Sequence, residues 1–481
     1  TPPSTGGNCE SSVTSSSASA MSLTQPSTSC SVSLSGSASP EAAAAAAAGG
    51  GNGGPAGASR VQVLWGTAWH EMADLPRWDT VVAINCTGVT TRRLETSGFA
   101  YARRYAVLPS LEKARWFINL DTGAVAAASF SVYTPARRSA HLKKAVAKLL
   151  AGARVPGWYK DQVVIASRRV PPLERKLAEL FPGQSVRVGL SAGAPEPALN
   201  RKASGAVMAA HGEILAFVKI AGSPLSRRIM EHEAEMLPAL AERARTEAAT
   251  PRLLFAGEID GRYVTVQSPL PGKPAPTALT PAHERYLGTL RSGQVKPAAA
   301  TQMVAELPGR IAAVGSSSPS ASALDLGGIL DEVMPVLERL DVPSTIVHGD
   351  FAPWNLRLHG GKVSAFDWEY GQLDGLPLID ETHFRVQLGF QLQGWNTDQF
   401  RACLAQIADA RPLWMTPEQV RAIHVVYLLD NIVRLLGEGY PADDEMVAWY
   451  ARLMGTLVTG QREATAAPAA APAPAPEAVP A

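Results

Sequence analysis

The sequence predicts an α+β protein in which a β-rich lobe is followed by a helical lobe. Short apolar runs separated by turn signals lie between residues 185 and 273, and helical periodicity dominates after Pro274. The chain has 481 residues, of which 46% are hydrophobic. This is enough for two or three domains with buried cores.

The β-rich lobe is predicted over residues 181–273. The segments "SVRVGLSAG", "KASGAVMAA" and "GEILAFVKIAG" are typical of three short strands joined by turns, as in an antiparallel meander. A helix follows in "RRIMEHEAEMLPALAERA", where apolar residues recur on one face between Ile229 and Leu240. Two further strands flank Asp260-Gly261, a dipeptide typical of tight hairpins. We therefore expect a five-stranded antiparallel sheet with one helix.

The helical lobe is predicted over residues 274–460. Its helices are expected near Asp325–Arg339, Thr397–Asp409 and Pro417–Leu436. Thr416 precedes the last of these helices and is a suitable N-cap. The serine-rich segment "AVGSSSPSASALD" is expected to be a flexible connection.

Three further segments complete the predicted organisation. Residues 60–180 are expected to form a small accessory α/β module, because Thr80–Asn85 and Ala114–Leu120 have strand-like composition and "HLKKAVAKLLAG" has helical spacing. No phosphate-binding loop, metal-ligand spacing or nucleophile motif marks this module, so its role stays open. Residues 1–59 and the Ala/Pro-rich residues 461–481 have too few apolar side chains to form a core and are expected to be disordered.

Charge and composition exclude several classes of function. Lys plus Arg number 44 and Asp plus Glu 43, so the net charge of +1 gives no electrostatic reason to expect a nucleic acid partner. The 4 cysteines are widely scattered and form no CxxC pair, which argues against a structural zinc site or a disulfide framework. No apolar run reaches the length of a membrane span. A cytoplasmic location is the expectation.

The stretch "IVHGDFAPWNLRLHGGKVSAFDWE" concentrates polar side chains in a predicted hairpin. Its two strands are expected at Asn355–Leu358 and Val363–Phe366, so Asp350, Asn355 and Asp367 should meet at one end. Carboxylate and carbonyl oxygens converging in this way suit Mg²⁺, which is usually bound by one or two carboxylates plus substrate phosphates.

These residues also carry a family resemblance. His348-Gly349-Asp350, then Asn355, then Asp367-Trp368-Glu369 resembles the aminoglycoside phosphotransferase and choline kinase family, a branch of the protein kinase-like fold. The order matches the protein-kinase pattern HRD, Asn, DFG, with Gly in place of Arg and Trp-Glu in place of Phe-Gly. The sequence looks most similar to bacterial phosphotransferase-like proteins with an added N-terminal module, some of them associated with surface polysaccharide synthesis.

The resemblance implies a fold and a set of roles around the hairpin. It implies a bilobal protein kinase-like fold, with ATP and Mg²⁺ bound between the lobes. Asp350 would accept the proton of an attacking hydroxyl, while Asn355 and Asp367 would hold Mg²⁺. His348, in the same catalytic loop, is expected to pack and hydrogen-bond the loop rather than act as a base. Asp380 resembles the acidic residue that braces this loop.

The resemblance also implies nucleotide contacts in the β-rich lobe. Lys219 lies at the strand position of the lysine that binds the α- and β-phosphates. Glu233 is the preferred ion-pair partner for Lys219, with Glu231 and Glu235 as close competitors. A solvated acidic helix face is the alternative interpretation of all three glutamates.

Two other segments of this lobe are implied to contact the nucleotide. Gln267 and Pro269 lie in the linker "QSPL", at the place where this fold's backbone binds the adenine. Lys202 ends the segment "SAGAPEPALNRK", the expected phosphate-covering loop, although this loop is not GxGxxG. The departure from that pattern favours a small-molecule kinase over a protein kinase.

The function implied is an ATP- and Mg²⁺-dependent phosphotransferase acting on a hydroxyl of a small molecule, such as a sugar, an amino alcohol or an aminoglycoside-like acceptor. Acidic side chains of the helical lobe and Trp395, Trp449 or Tyr450 could attract a cationic acceptor, although ordinary helix solvation and core packing are the favoured interpretation of these residues. The alternative function is a pseudokinase or nucleotide-binding scaffold, in a setting such as polysaccharide synthesis. A third hypothesis gives the N-terminal module an activity of its own, regulated by the kinase-like part.

Overall fold

The structure is a computed structural model that describes residues 60–66, 75–135, 138–193, 199–243, 250–317, 324–410, 412 and 414–466. The predicted disordered segment 1–59 lies outside the described residues. So do residues 467–481 and part of the predicted serine-rich connection. The last helix runs to Ala466, so it includes the first six residues of the tail predicted from 461.

A ten-stranded sheet runs through the first half of the chain, in the order β1-β2-β5-β3-β4-β6-β7-β8-β10-β9. The pair β1 and β2 is parallel and the other neighbours are antiparallel. Its strands are β1 Val61–Trp65, β2 Thr80–Ile84, β3 Tyr101–Leu108, β4 Trp116–Asn119, β5 Asp161–Ser167, β6 Arg187–Ser191, β7 Lys202–Met208, β8 Ile214–Ala221, β9 Leu253–Ile259 and β10 Arg262–Gln267.

The predicted five-stranded antiparallel sheet is present as β6 to β10, but it is not a separate sheet. Strand β4 of the N-terminal module pairs with β6 through Trp116 opposite Ser191 and Phe117 opposite Leu190. This pairing satisfies the backbone groups of β6, which would otherwise be an exposed sheet edge. The module and the β-rich lobe therefore share one continuous sheet.

Helices cover both faces of this sheet. Leu177 packs on one face against Val188, Val207 and Val218, while the long helix Pro224–Arg243 packs against β8 and β9 on the side that faces the helical lobe. A 3-10 turn, Phe130–Val132, directly follows the helix Gly123–Ser129. The helices of this half are α1 Thr91–Thr96, α2 Gly123–Ser129, α3 Arg138–Gly152, α4 Pro172–Leu180 and α5 Pro224–Arg243.

The second half of the chain is the helical lobe. Its helices are α6 Pro281–Thr289, α7 Gln302–Ala305, α8 Leu307–Ser317, α9 Leu326–Glu338, α10 Ile379–Leu388, α11 Thr397–Asp409, α12 Pro417–Glu438 and α13 Glu445–Ala466. The three helices predicted here are confirmed as α9, α11 and α12, and Thr416 caps α12 by accepting a hydrogen bond from the backbone N–H of Gln419. Helix α12 is buried on most of its surface and forms the centre of the lobe.

Two small sheets position the catalytic loop within this lobe. The first contains β11 Lys273–Pro274, β14 Leu356–His359 and β15 Lys362–Ala365, and the second contains β12 Arg291–Pro297, β13 Asp341–Val347 and β16 Gln372–Gly375. The predicted hairpin is confirmed as β14 and β15, displaced from the predicted strand bounds by one residue. Strand β13 ends at Val347, directly before the catalytic loop.

Within the ranges that the structure describes, no helix combines the length and the apolar character that crossing a bilayer requires.

Candidate active site

The catalytic loop turns at Gly349, a position that no residue with a side chain can occupy without strain. Gly349 has φ +77°, and a Cβ there would lie 2.3 Å from the backbone oxygen of Tyr370. The chain therefore turns sharply between His348 and Asp350 and passes close to the segment that follows β15. Asp367, directly after that hairpin, also has a left-handed φ of 69°. Both residues adopt a backbone conformation that is uncommon for residues other than glycine, and at Asp367 this conformation positions the carboxylate.

Asp350 is held through both carboxylate oxygens. Asn355 donates from Nδ2 to Oδ2 of Asp350 over 2.8 Å, and His383 donates from Nε2 to Oδ1 over 2.9 Å. The Asp350 side chain is 27% exposed, so it remains accessible from the cleft. The carboxylate is thus fixed in orientation while one side of it stays open to a reactant.

His383 is a site residue that the sequence reasoning missed. It lies on α10, is buried, and has the hydroxyl of Tyr427 3.3 Å from its Nδ1. The tyrosine thereby fixes the ring orientation in which Nε2 points at Asp350. A signal was present in the sequence, since His383 follows Asp380 by three residues and helical residues at that spacing lie on the same face.

Asp380 braces the catalytic loop from below. Its two oxygens accept hydrogen bonds from the backbone N–H groups of His348, over 2.7 Å, and Gly349, over 3.0 Å. Burial raises the pKa of this carboxyl, although the neighbouring His348 opposes the change. The side chain therefore sits where the resemblance implies a bracing acid.

The structure places His348 in a structural position. Its ring is fully buried, donates from Nε2 to the backbone oxygen of Phe366 over 3.0 Å, and accepts at Nδ1 from the backbone N–H of Asp350. Both ring nitrogens are thus engaged within the loop. This geometry matches the expectation that His348 packs and hydrogen-bonds rather than acts as a base.

Lys219 joins the two lobes through a pair of carboxylates. Its Nζ lies 2.6 Å from Oε2 of Glu233 on α5 and 2.5 Å from Oδ1 of Asp367. Burial alone would lower the pKa of Lys219, but the two carboxylates raise it above its ordinary value. Burial likewise opposes the ionisation of Asp367, while Lys202 and Lys219 hold its pKa well below its ordinary value. Lys219 and Asp367 are therefore both charged at neutral pH.

Of the three candidate glutamates on α5, the structure brings Glu233 to Lys219. Glu233 is fully buried, and its Oε1 also accepts the backbone N–H of Trp368 over 3.1 Å. Glu231 instead pairs with Arg227 on the same helix, and Glu235 is exposed. Glu233 thus fastens α5 to the segment that carries Asp367.

This geometry predicts a stability difference between two conservative variants of α5. Glu233→Gln is expected to lower the free energy of unfolding by about 1.5–3 kcal/mol, because charge-assisted hydrogen bonds to Lys219 and Trp368 are weakened in a buried position. Glu235→Gln, the matched control two residues away on the exposed face of the helix, is expected to change it by less than about 0.5 kcal/mol. Urea unfolding of the full chain measures both, and equal losses would contradict the buried role of Glu233.

Lys202 begins β7 and forms an ion pair with Glu369, while its Nζ lies 3.5 Å from Oδ1 of Asp367. Burial lowers the pKa of Lys202, and Asp367 opposes this shift. Glu369 is a second site residue for which the sequence analysis proposed no role. The connected ion pairs form a cluster of two lysines and three carboxylates with a formal net charge of −1; its members are Lys202, Lys219, Glu233, Asp367 and Glu369. The segment predicted to be the phosphate-covering loop lies partly outside the described residues, at 194–198.

The predicted adenine linker follows β10. Gln267 is buried, lies opposite Phe217 in β8, and its Nε2 has no hydrogen-bond partner among the described residues. Pro269 has no backbone N–H, so its main chain can offer only a carbonyl oxygen. The linker thus presents a buried polar side chain and main-chain groups at one end of the cleft.

A cavity of about 530 Å³ lies beside the catalytic loop, between α5 and α12. Charges of both signs line it. They include Arg228, Glu235, Arg310, Glu369, Asp430 and Arg434. Arg310 and Asp430 form an ion pair of 2.5 Å across it.

The aromatic residues proposed to attract a cationic acceptor are core residues instead. Tyr450 is fully buried, Trp449 is 7% exposed and packs edge-on against Phe400, and the half-buried Trp395 also packs on Phe400. Trp449 and Tyr450 therefore offer no open face to a ligand. Among the acidic residues, Asp374 pairs with Lys296. The favoured interpretation, helix solvation and core packing, therefore describes these side chains.

Comparisons with known proteins agree with the motif. Residues 209–380 match the sequence model of the phosphotransferase enzyme family. No curated protein sequence matches the chain.

Several solved structures are similar at low identity. An aminoglycoside phosphotransferase in complex with ADP and hygromycin B is 14% identical, with 60% of this chain and 98% of that chain covered and a TM-score of 0.40. A protein described as a fructosamine-3-kinase from Haemophilus somnus 129PT is 14% identical, with 60% and 97% covered and a TM-score of 0.40. An aminoglycoside phosphotransferase in complex with GDP and kanamycin is 12% identical, with 60% and 98% covered and a TM-score of 0.36. The family resemblance seen in the catalytic-loop motif is confirmed by the sequence match, in which residues 209–380 fit the model of the phosphotransferase enzyme family.

Proposed function

We propose that this protein is a kinase that transfers the γ-phosphoryl group of ATP, in the presence of Mg²⁺, to a hydroxyl of a small molecule. One observation carries the proposal: Glu233, Lys219 and Asp367 form a continuous chain of ion pairs from the β-rich lobe to the catalytic hairpin. Phosphoryl transfer depends mainly on positioning and charge neutralisation, and these ion pairs hold the Lys219 cation and the Asp367 carboxylate in place for both. Asp350 lies on the loop that leads into the same hairpin, where an acceptor could reach it.

Asp350 has the role of orienting the acceptor. The acceptor hydroxyl gives its proton to the carboxylate of Asp350 as its oxygen bonds to the γ-phosphorus. The bond from that phosphorus to the β,γ-bridging oxygen breaks, and ADP leaves. The hydrogen bonds from Asn355 and His383 keep the carboxylate in place during this transfer.

The nucleotide and metal contacts are assigned by charge and by donor chemistry. Lys219 and Lys202 are the cations available for phosphate oxygens. Asn355 donates its Nδ2 to Asp350, which leaves the amide oxygen as its ligand atom, and Asp367 supplies a carboxylate. These oxygen donors fit Mg²⁺, which Asn355 and Asp367 would hold together with the substrate phosphates and which would neutralise part of the phosphate charge. In the described part of the chain no cluster of three or more His, Cys, Asp or Glu side chains could hold a metal on its own.

The charged cavity between α5 and α12 is the proposed space for the acceptor. Its volume of about 530 Å³ is within the range of small-molecule sites. Mixed charges with few open aromatic faces suit a hydroxylated polar molecule, such as a sugar or an amino alcohol, better than an apolar one.

The test is nucleotide turnover by the full chain. ADP formation would be followed with Mg²⁺ and ATP, first alone and then with a panel of sugars, amino alcohols and aminoglycosides. The proposal expects turnover that one class of acceptor stimulates and that chelation of Mg²⁺ abolishes. Binding of Mg²⁺ and ATP without turnover on any acceptor would instead favour a nucleotide-binding scaffold.

A pair of variants at His383 tests the positioning of Asp350. His383→Gln can keep an N–H near the position of Nε2, whereas His383→Leu cannot. We expect the leucine variant to lower kcat roughly 10-fold or more and the glutamine variant to retain most of it, because only the leucine variant frees Asp350 to rotate. The KM for ATP should change little in either variant. Equal kcat losses would show that His383 acts only through core packing.

A nucleotide-binding scaffold remains the second candidate function. The observation that favours it is the close packing of the N-terminal module, whose Thr134 reaches the catalytic hairpin at Arg357.

The proposed boundaries stay as predicted: an accessory module at 60–180, a kinase-like N-lobe at 181–273 and a C-lobe at 274–460. A cytoplasmic location also stays a prediction.

A further inference from the structure

One face of the β-rich lobe forms the roof of the cleft. The strand register places Gly189, Ala206, Phe217 and Gln267 directly opposite one another in neighbouring strands. Residues opposite each other share a face of the sheet, and so do residues two apart in one strand. This row therefore faces the cleft together with Lys219. Because Gln267 directly precedes the linker, the row lies above the space between the linker and the phosphate-binding lysine.

The N-terminal module covers this roof. A Cβ on Gly189 would lie 2.5 Å from the hydroxyl oxygen of Ser129, so the end of α2 lies directly against the row. Ala206 forms an apolar cluster with Val125, and Val132 and Phe217 pack against the same cluster. The space beneath the roof is thus filled by side chains of the module.

The same segment reaches the floor of the cleft. Thr134 accepts a hydrogen bond at Oγ1 from Nη2 of Arg357 in β14, over 3.1 Å. The Arg357 guanidinium in turn lies 4.6 Å from the ring centroid of Phe366, the residue directly before Asp367. Residues 130–134, here called the interlobe segment, therefore bridge the roof and the floor at the level of the linker.

We propose that the interlobe segment is an internal plug that occupies the space of the nucleotide base and must withdraw before ATP can bind. This inference rests on the proposed function, because it assigns the regulation of the same site. The buried Nε2 of Gln267, which has no partner among the described residues, is the group that a base entering this space would satisfy. The site is then built for a polar ligand that the segment excludes.

The plug has a quantitative consequence. When only a fraction of the molecules is open, the apparent dissociation constant equals the intrinsic constant divided by that fraction. Weakening the plug should therefore tighten the apparent binding of nucleotide without adding any contact to it. A partner or ligand that holds the interlobe segment away from the cleft would activate the enzyme in the same way.

The experiment measures Mg²⁺–ATP binding to the full chain by calorimetry. Thr134→Val removes the oxygen that accepts from Arg357 while preserving the side-chain shape, and a Val132→Ser/Thr134→Val double variant also weakens the contact with the roof. Loss of a hydrogen bond to a charged group should tighten apparent binding roughly tenfold in the single variant and further in the double variant. Thr80→Val, the same change in β2 of the module, is the matched control and should bind like wild type.

Hydrogen exchange supplies a second measurement that needs no variant. Saturating Mg²⁺–ATP should accelerate exchange of the amides in the interlobe segment of the wild-type chain. Equal affinities in wild type and both release variants, with unchanged exchange on binding, would overturn the plug and leave the phosphotransferase proposal intact. A double variant whose interlobe segment exchanges freely and that still binds no nucleotide would overturn the phosphotransferase proposal, and the plug with it.

Discussion

Asp350→Asn is expected to reduce phosphoryl transfer by roughly 10²–10⁴-fold while leaving the affinity for Mg²⁺–ATP nearly unchanged. The amide has almost the same shape as the carboxylate but cannot take a proton from an attacking hydroxyl. Because Asp350 contacts Asn355 and His383 rather than Lys219 or Lys202, its replacement should not disturb the phosphate-binding cluster.

The measurement is kcat for the best acceptor together with a calorimetric dissociation constant for Mg²⁺–ATP. Asp260→Asn is the matched control, since Asp260 is exposed in the turn between β9 and β10 and far along the chain from the loop. A variant at Asp350 that retained full transfer would contradict the role of this carboxylate. A variant that lost nucleotide affinity as strongly as transfer would show that Asp350 contributes to the bound ground state.

The catalytic hairpin could be predicted from sequence because its geometry is local. Asp350, Asn355 and Asp367 lie within 18 consecutive residues, and a hairpin with a short turn leaves few ways to arrange them. Lys219 and Glu233 are also close in sequence, since Lys219 lies near the end of β8 and Glu233 lies in the first half of α5, the next helix. In each case the order of strand and helix determines which side chains meet.

The pairing that joins the N-terminal module to the β-rich lobe in one sheet could not be predicted in this way. Strand β4 meets β6 across an interval of more than 70 residues, and an alternating apolar pattern does not specify which edge a strand will choose. The position of Thr134 against Arg357 follows from that choice and was invisible for the same reason. The proposed plug is therefore a consequence of tertiary pairing rather than of any motif.

The aromatic residues considered for binding a cationic acceptor could not be assigned from the sequence. Trp449 and Tyr450 lie on a helix among other apolar residues, and their composition alone does not distinguish a ligand platform from a core contact. The structure buries both against neighbouring helices. His383, by contrast, could have been found from its spacing to Asp380, because helical residues three apart share a face.

Asp367→Ala is expected to abolish the stabilisation that Mg²⁺ and ATP give to the folded chain. A ligand at 100 times its apparent dissociation constant stabilises by roughly 2.7 kcal/mol, and Asp367 is the carboxylate proposed to hold the metal on the phosphates. Its ionised state is assured near neutral pH, because Lys202 and Lys219 hold its pKa well below the ordinary value despite burial. Removing it leaves Lys219 paired with Glu233 and Lys202 paired with Glu369, so the variant should still fold.

Thermal unfolding of the full chain measures this with ATP alone, with Mg²⁺ alone and with both. Wild type and Asp331→Ala, a matched change at an exposed position of α9, should be stabilised only by the combination. Asp367→Ala should show no metal-dependent shift in unfolding temperature, because the variant lacks the carboxylate proposed to hold Mg²⁺ beside the phosphates of ATP. An equal shift in Asp367→Ala would place the metal elsewhere in the cleft, with Glu369 as the next carboxylate to replace. A wild type stabilised equally by ATP with and without Mg²⁺ would mean that Lys202 and Lys219 alone neutralise the phosphates, and the metal-dependent mechanism would have to be abandoned.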